Sequence, residues 1–292
     1  MATLVMNICF CRLSSSTHKI HNMRLVLISL VVTLFFSCKD TKKNEQISEP
    51  VKETAETVSS TESKEEYPED FMKVLEAHGG IATWRAQKTL TFVKPNDKGF
   101  EHYTIDLHTR NEKVVSEEVE RGNEGDKTWV LDPENNFKGD AVFYKNLYFY
   151  FYAMPFVLAD KGVNYSETEA LEVDGISYPG IKVSFDQGVG TSPKDNYYLH
   201  YDATTNQMAW LGYTVTYRTG EKSDKISWIN YNDWTEVSGL KLPKSISWHK
   251  AEGNKIMDVA KTVVFENATL SEKGMENGYY AKPESATYVT RK

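Results

Sequence analysis

The sequence predicts a mainly β domain with lid helices: an open, strongly curved antiparallel sheet, or half-barrel, of about 10 to 11 strands covered by helices. Two patterns support this fold class. Polar and apolar residues alternate through most of residues 67–292, and turn-forming residues interrupt the alternation regularly. One stretch, Ala141 to Leu158, differs because eight of its eighteen residues are Phe or Tyr. A sheet with an apolar face needs a cover, and this stretch is expected to provide it.

The chain begins with a segment typical of an exported lipoprotein. From Met23 it reads MRLVLISLVVTLFFSC, in which a basic residue precedes about a dozen apolar residues and a cysteine. The L-F-F-S-C end resembles the lipobox of bacterial lipoproteins, which implies that residues 1–37 are a signal peptide, with Met23 a candidate start, and that Cys38 is lipidated. The alternative is an ordinary signal peptide followed by an accidental cysteine.

Residues 38–66 are expected to form a disordered tether behind the lipidated cysteine. They contain no aromatic residue and few large apolar ones, so they cannot repay the entropy cost of folding. The formal net charge of the chain is −7, and residues 1–37 hold three basic residues and no acidic one. The remainder is therefore more acidic still, which argues against nucleic acid as a partner. Residues 67–292 suffice for one domain.

The domain is expected to open with a short helix after Pro68 that ends at Gly79-Gly80. Strands follow, and each is bounded by turn residues. The predicted strands are Thr89 to Lys94, Phe100 to Arg110, Glu112 to Arg121, Lys127 to Leu131, Tyr165 to Val173, Tyr178 to Phe185, Asn196 to Tyr201, Gln207 to Tyr217, Lys225 to Trp234, Leu240 to Trp248 and Lys255 to Phe265.

The aromatic stretch is interpreted as a helix from about Gly139 to Ala153, ended by Pro155. Helical spacings of three and four then place four side chains on one face: Phe143, Leu147, Tyr150 and Phe151. A continuous aromatic strand is the alternative, because Phe and Tyr favour strands and the stretch has no strict helical period.

One predicted strand is apolar on both faces, with Trp228 and Trp234 on one face and Ile229 and Tyr231 on the other. A sheet that curves around an apolar interior explains this pattern. We therefore expect a ligand cavity lined by Phe143, Leu147, Tyr150, Phe151, Trp228 and Trp234. A filled core is the alternative interpretation of the same aromatic residues.

Three motifs carry a resemblance to known proteins. Tyr231 to Pro243 reads Y-x-D-W-x-x-V-x-G-L-x-L-P, Ala77 to Trp84 reads A-H-G-G-x-x-x-W, and Met154-Pro155-Phe156 follows the aromatic stretch. They resemble the periplasmic lipoprotein-carrier, LolA-like superfamily involved in outer-membrane lipoprotein sorting, and within it a narrower lipoprotein family of unknown function. The resemblance implies a half-barrel able to hold a lipid or acyl chain. An anchor at Cys38 favours a membrane-tethered binder over a shuttling carrier.

An enzyme is the main alternative to a binding protein. His102, Asp106 and His108 alternate along one predicted strand, so they could share a face and serve a metal- or carboxylate-dependent hydrolase. A solvated outer face, opposite Tyr103, Ile105 and Leu107, is the favoured interpretation of these residues. The nucleophile motif G-x-S-x-G is absent, and helix termination explains His78-Gly79-Gly80 better than an oxyanion loop.

The expected function is that of a non-catalytic lipoprotein of the cell envelope, anchored in the outer membrane through its acyl group, which binds a hydrophobic ligand and needs no cofactor or metal. A purely structural envelope scaffold is a third hypothesis. The sequence leaves the membrane leaflet open.

Overall fold

The computed structural model describes residues 67–186, 194–217, 220–221, 223–252 and 255–291. The predicted signal peptide, the lipidated Cys38 and the tether lie outside the described residues. Within the described residues, no helix has both the length and the apolar character needed to cross a membrane.

The helical elements of the described residues are short and fall into two groups, one before the strands and one in the aromatic stretch. They are α1 (Glu69–Ala77), α2 (Ile81–Ala86), α3 (Ala141–Tyr144), α4 (Leu147–Tyr152) and a 3-10 helix (Phe156–Ala159).

Fourteen strands make up the rest of the described fold. They are β1 (Thr89–Asn96), β2 (Gly99–Asp106), β3 (Glu112–Val115), β4 (Glu120–Glu124), β5 (Lys127–Leu131), β6 (Val163–Val173), β7 (Ile176–Phe185), β8 (Tyr197–Tyr201), β9 (Met208–Tyr213), β10 (Ser227–Val237), β11 (Leu240–Glu252), β12 (Lys255–Val264), β13 (Glu266–Ser271) and β14 (Thr287–Val289). The predicted class, mainly β with an open sheet and lid helices, is confirmed.

The strand number is larger than expected for two reasons. The predicted strand Glu112 to Arg121 contains a turn in which the backbone N–H of Ser116 donates to the carbonyl of Val119, so it forms β3 and β4. In addition, β13 and β14 come from a C-terminal part whose alternation is weak. Strand β14 pairs with β5, so the last residues close one edge of the fold.

The strands form two seven-stranded antiparallel sheets. Sheet A has the order β13-β1-β2-β3-β4-β5-β14, and sheet B has the order β12-β11-β10-β9-β8-β7-β6. The chain passes from sheet B to sheet A between β12 and β13, at the buried Phe265, whose ring packs against Phe92 and Tyr152. The two sheets are therefore connected through this crossover, and they do not close into a barrel.

The aromatic stretch covers the two sheets, as predicted. Tyr152 packs against sheet A and the crossover between the sheets, with its ring centroid 4.7 Å from that of Phe92 and 4.6 Å from that of Phe265. The Tyr231 hydroxyl of sheet B donates to the Phe151 carbonyl at 2.9 Å. One apolar core thus joins the lid to both sheets.

The prediction of one continuous helix in this stretch is wrong. Asn146 has φ of +58°, a left-handed conformation that ends α3 and starts α4. Its conformation is held by two hydrogen bonds, from its backbone N–H to Glu112 and from its side chain to the Arg110 carbonyl. Phe151 is buried as predicted, but Phe149 and Tyr152 take the place of Leu147 and Tyr150 on the buried face of α4.

The expected faces of β10 are also altered. A bulge lies between Asn230 and Asp233, and an extra residue in a strand moves the following side chains to the opposite face. Trp234 therefore packs on Tyr231, with ring centroids 5.9 Å apart, on the core side. Trp228 lies in a separate apolar cluster. The predicted shared face of Trp228 and Trp234 is wrong because of this bulge.

Candidate functional site

The three sequence motifs meet at one place, which we call the motif clasp: His78, Gly79, Trp84, Phe156, Trp234 and the segment 239–241. The His78 imidazole is fully buried at its centre. Its Nδ1 lies 3.2 Å from the Lys241 carbonyl, and its Nε2 lies 3.1 Å from the Met208 backbone N–H. Since a carbonyl only accepts and an N–H only donates, the proton must be on Nδ1. Burial lowers the pKa of His78 to about 4, so the ring is neutral.

Close packing explains the other residues of the motif clasp. Gly79 has φ of +102°, and a β-carbon there would collide with the Gly239 carbonyl. Trp84 stacks on Phe156 with centroids 4.9 Å apart, and the His78 ring lies 4.4 Å from that of Trp234. The clasp joins α1, α2, the lid and sheet B through these close contacts. Its histidine and glycines are therefore structural, and the helix-termination interpretation of His78-Gly79-Gly80 holds.

The hydrolase hypothesis loses its geometric basis. His102 and Asp106 are four residues apart in β2, about 13 Å along a strand. The Asp106 carboxylate caps a turn by accepting from the backbone N–H groups of His108 and Thr109, and His102 is exposed. Within the described ranges, no three His, Cys, Asp or Glu side chains are placed to hold a metal ion.

The six predicted cavity residues do not surround one space. Phe151 is buried in the core against Tyr213 and Trp248, and Trp234 belongs to the motif clasp. Phe143, Leu147 and Tyr150 are half-buried along the lid, and Trp228 lies on the other face of sheet B.

A cleft of about 470 Å³ does open between sheet A and the segment 136–148, and we call it the lid cleft. Aromatic and apolar side chains form much of its wall, and Val114 and Tyr148 link it to the main core. Its lining consists of Lys94, Asn96, Lys98, Phe100, Glu101, Val114, Ser116, Glu117, Glu118, Val119, Arg121, Asn136, Phe137, Lys138, Gly139, Tyr144, Tyr148 and Lys261.

Charged side chains are built into the wall of this cleft. Lys94 and Arg121 are only 6% and 5% exposed. Both bind the Glu101 carboxylate: Lys94 Nζ lies 2.5 Å from one oxygen, and an Arg121 guanidinium nitrogen lies 2.8 Å from the other. Burial opposes ionisation of Glu101, but the positive charges of Arg121 and Lys94 outweigh it and lower the pKa of Glu101 below its ordinary value.

Aromatic groups complete the surroundings of the two cations. The Lys94 ammonium lies 4.7 Å from the centroid of the Tyr148 ring on the lid. The Arg121 guanidinium donates to the Tyr103 hydroxyl at 3.0 Å. The cations are therefore held between the core and the lid, so the lid cleft combines apolar walls with fixed positive charge.

A second acid lies behind Arg121. Glu112 is almost fully buried, 3.8 Å from the guanidinium, and one of its oxygens accepts from the backbone N–H of Asn146 in the lid. Its other oxygen has no hydrogen-bond partner among the described residues. Burial raises the pKa of Glu112 to about 7, although the charge of Arg121 opposes the rise.

Comparison with known proteins gives a family. A family model described as DUF6503, a family of unknown function, matches residues 24–264. The chain belongs to this family. No curated protein matches it.

Solved structures similar to the chain include a LolA superfamily protein from Nitrosomonas europaea, with 11% identity and a TM-score of 0.44 over 72% of this chain and 96% of the other. A DUF1329 family protein from Desulfovibrio piger also has 11% identity, with a TM-score of 0.42 over 71% and 97% of the respective chains. The expected membership of a family of unknown function is confirmed, and a LolA superfamily protein is among the solved structures similar to the chain.

Sequence reasoning missed the charged wall of the lid cleft, although a signal was present. Lys94 follows Leu90 and Phe92 at the inward spacing of two, and Glu101 precedes Tyr103 at the same spacing. A charged residue in the inward phase of an alternating strand contradicts the pattern of a plain core. That contradiction could have identified the site.

Proposed function

We propose that this protein is a non-catalytic, lipid-anchored protein of the cell envelope that binds a hydrophobic ligand, a lipid or acyl chain, in the lid cleft. The observation that carries the proposal is a cleft of about 470 Å³ whose apolar wall is continuous with the main core. This volume lies within the range of roughly 300 to 1,000 Å³ that is typical of small-molecule sites.

The lining of the cleft suits such a ligand. Phe100, Phe137, Tyr144 and Tyr148 present aromatic surface to it, together with Val114 at its floor. Burial of apolar area, at about 25 cal/mol per Å², would drive binding. A ligand that covers these side chains would remove them from water without requiring the packed motif clasp to move.

Displacement of α3 would widen the cleft. Segment 143–147 is mostly half-buried, and the helix breaks within it at Asn146. A bulky chain that displaced α3 would reach Phe143, Leu147 and Tyr150, three of the residues expected to contact a ligand. Phe151 and Trp234 are packed deeper, and Trp228 is excluded because it lies on the opposite face.

The anchor is a separate part of this proposal. Acylated Cys38 and the segment 39–66 would tether the domain to the outer membrane. Labelled palmitate should enter the wild-type protein and not Cys38→Ser, and the variant should leave the membrane fraction. Label retained by the variant would contradict the anchor.

Ligand binding is tested with the full-length protein in mild detergent. Native mass spectrometry should show a retained hydrophobic molecule, and Phe100→Ser at the cleft rim should lower its occupancy severalfold. Ile176→Ser is a matched control, because Ile176 is 52% exposed and Phe100 is 51% exposed, but only Phe100 lines the cleft. Equal occupancy in both variants, or no retained molecule, would contradict the proposal.

A further inference from the structure

The proposed function does not explain why two cations are buried in the wall of the cleft. Placing a lysine and an arginine out of water is costly unless they are paired, and a packed apolar pair would serve a purely hydrophobic ligand better. Lys94 and Arg121 nevertheless stand on different strands and converge on one carboxylate, that of Glu101.

The charge balance of the cleft also differs from that of the whole chain. The chain has a formal net charge of −7. The lining of the lid cleft has five basic residues and three acidic ones: Lys94, Lys98, Arg121, Lys138 and Lys261 against Glu101, Glu117 and Glu118. The cleft is therefore a locally positive region on an acidic protein, which attracts anions.

We propose, building on the proposed function, that the lid cleft selects an anionic amphiphile, with a carboxylate or phosphate head group on Lys94 and Arg121 and an acyl chain along the aromatic wall. The aromatic side chains that would hold the chain, Tyr144 and Tyr148, line the same cleft as the two cations. The head group and the chain thus each have a matching surface.

The Glu101 carboxylate shows that the two cations can bind one anion together. Its two oxygens lie 2.5 Å from Lys94 Nζ and 2.8 Å from an Arg121 guanidinium nitrogen. A ligand head group of the same chemistry would share these donors with Glu101 or displace it. Glu101 is therefore an internal competitor, and its negative charge should weaken binding of an anionic ligand.

The experiment compares two probes that differ only in the head group with a third that lacks the acyl chain. Full-length protein, stripped of endogenous ligand, is titrated with palmitate, with methyl palmitate and with inorganic phosphate. We expect palmitate to bind at least about tenfold more tightly than the ester, since a charged hydrogen bond is worth about a factor of ten or more. Inorganic phosphate should bind weakly, because it lacks the chain.

Two variants give opposite expected results. Lys94→Gln should weaken palmitate binding about tenfold and leave the ester unchanged. Glu101→Gln should strengthen palmitate binding severalfold, because it removes the competing carboxylate. Lys113→Gln is the control: Lys113 pairs with Glu120 at 3.1 Å and does not line the cleft, so its loss should change neither affinity. Thermal melts establish that each variant is folded.

The outcomes separate this inference from the proposed function. Equal affinity for palmitate and its ester, weaker palmitate binding by a folded Glu101→Gln, or equal effects of Lys94→Gln and Lys113→Gln would overturn the anionic head-group site while leaving a hydrophobic cleft. Phosphate binding as tight as that of palmitate would identify a free-anion site and also overturn it. Failure of every probe to bind would contradict the proposed function itself.

Discussion

The motif clasp and the lid cleft are both built on buried polar groups, yet they differ in how those groups are satisfied. In the clasp, neutral His78 uses both ring nitrogens on backbone groups, and Gly79 lies against the Gly239 carbonyl. In the cleft, Lys94 and Arg121 share a carboxylate next to open space. The recognisable sequence motifs therefore lie in the motif clasp, where α1, α2, the lid and sheet B pack together. The lid cleft, which is the candidate ligand site, contains none of them.

The largest expected effect on stability comes from removing a buried cation from the wall of the lid cleft. Arg121→Met removes the cation beside both Glu101 and the buried Glu112, so it should cost about 3 to 5 kcal/mol in the free energy of unfolding. Chemical denaturation measures this. The control, Lys113→Met, breaks a partly exposed pair with Glu120 and should cost less than about 1 kcal/mol. Similar losses in the two variants would show that the cleft charges are not effectively buried.

The next effect tests close packing in the motif clasp. Gly79→Ala adds a β-carbon at φ of +102° against the Gly239 carbonyl, so it should destabilise the fold by about 3 kcal/mol. Gly175→Ala is the matched control, since Gly175 has φ of +81° and no atom near its added β-carbon. Backbone strain alone predicts a cost of about 1 to 2 kcal/mol there. Equal melting temperatures for the two variants would contradict the close contact in the clasp.

The third prediction contrasts the two regions by pH. The pKa of His78 falls from 6.5 to about 4 on folding, because of burial. The folded protein, which keeps this ring neutral, therefore loses stability as pH falls from 6.5 to 4. The pKa of Glu112 rises from 4.5 to about 7, because of burial, so stability present below pH 4.5 is lost as pH rises to 7. Each shift corresponds to at most about 3 kcal/mol.

Between pH 4.5 and 6.5, His78 and Glu112 have opposite effects on how the free energy of unfolding of the wild type changes with pH. Relative to it, the free energy of unfolding of His78→Gln should fall as pH rises through this window, and that of Glu112→Gln should rise. Denaturation at four pH values checks both signs. Parallel curves for wild type and either variant would show that the group does not change its pKa on folding.

Sequence patterns predicted much of the fold and little of the site. The alternation of Leu90 and Phe92 identified β1 because burial of one face imposes a period of two. The same reasoning failed at Trp228 and Trp234, since the bulge that separates their faces depends on pairing between β10 and β11. It failed again at Asn146, where contacts to Arg110 and Glu112 end a helix that local pattern favoured.

Local periodicity and composition were enough to predict the β class, the aromatic lid and the positions of the motifs. Which residues are neighbours in space depends instead on tertiary contacts. Lys94 and Arg121 are 27 positions apart in the chain, and their convergence on Glu101 depends on how the strands of sheet A are ordered and how the lid breaks above them. Strand order and bulges arise from contacts between distant segments, which no local pattern encodes.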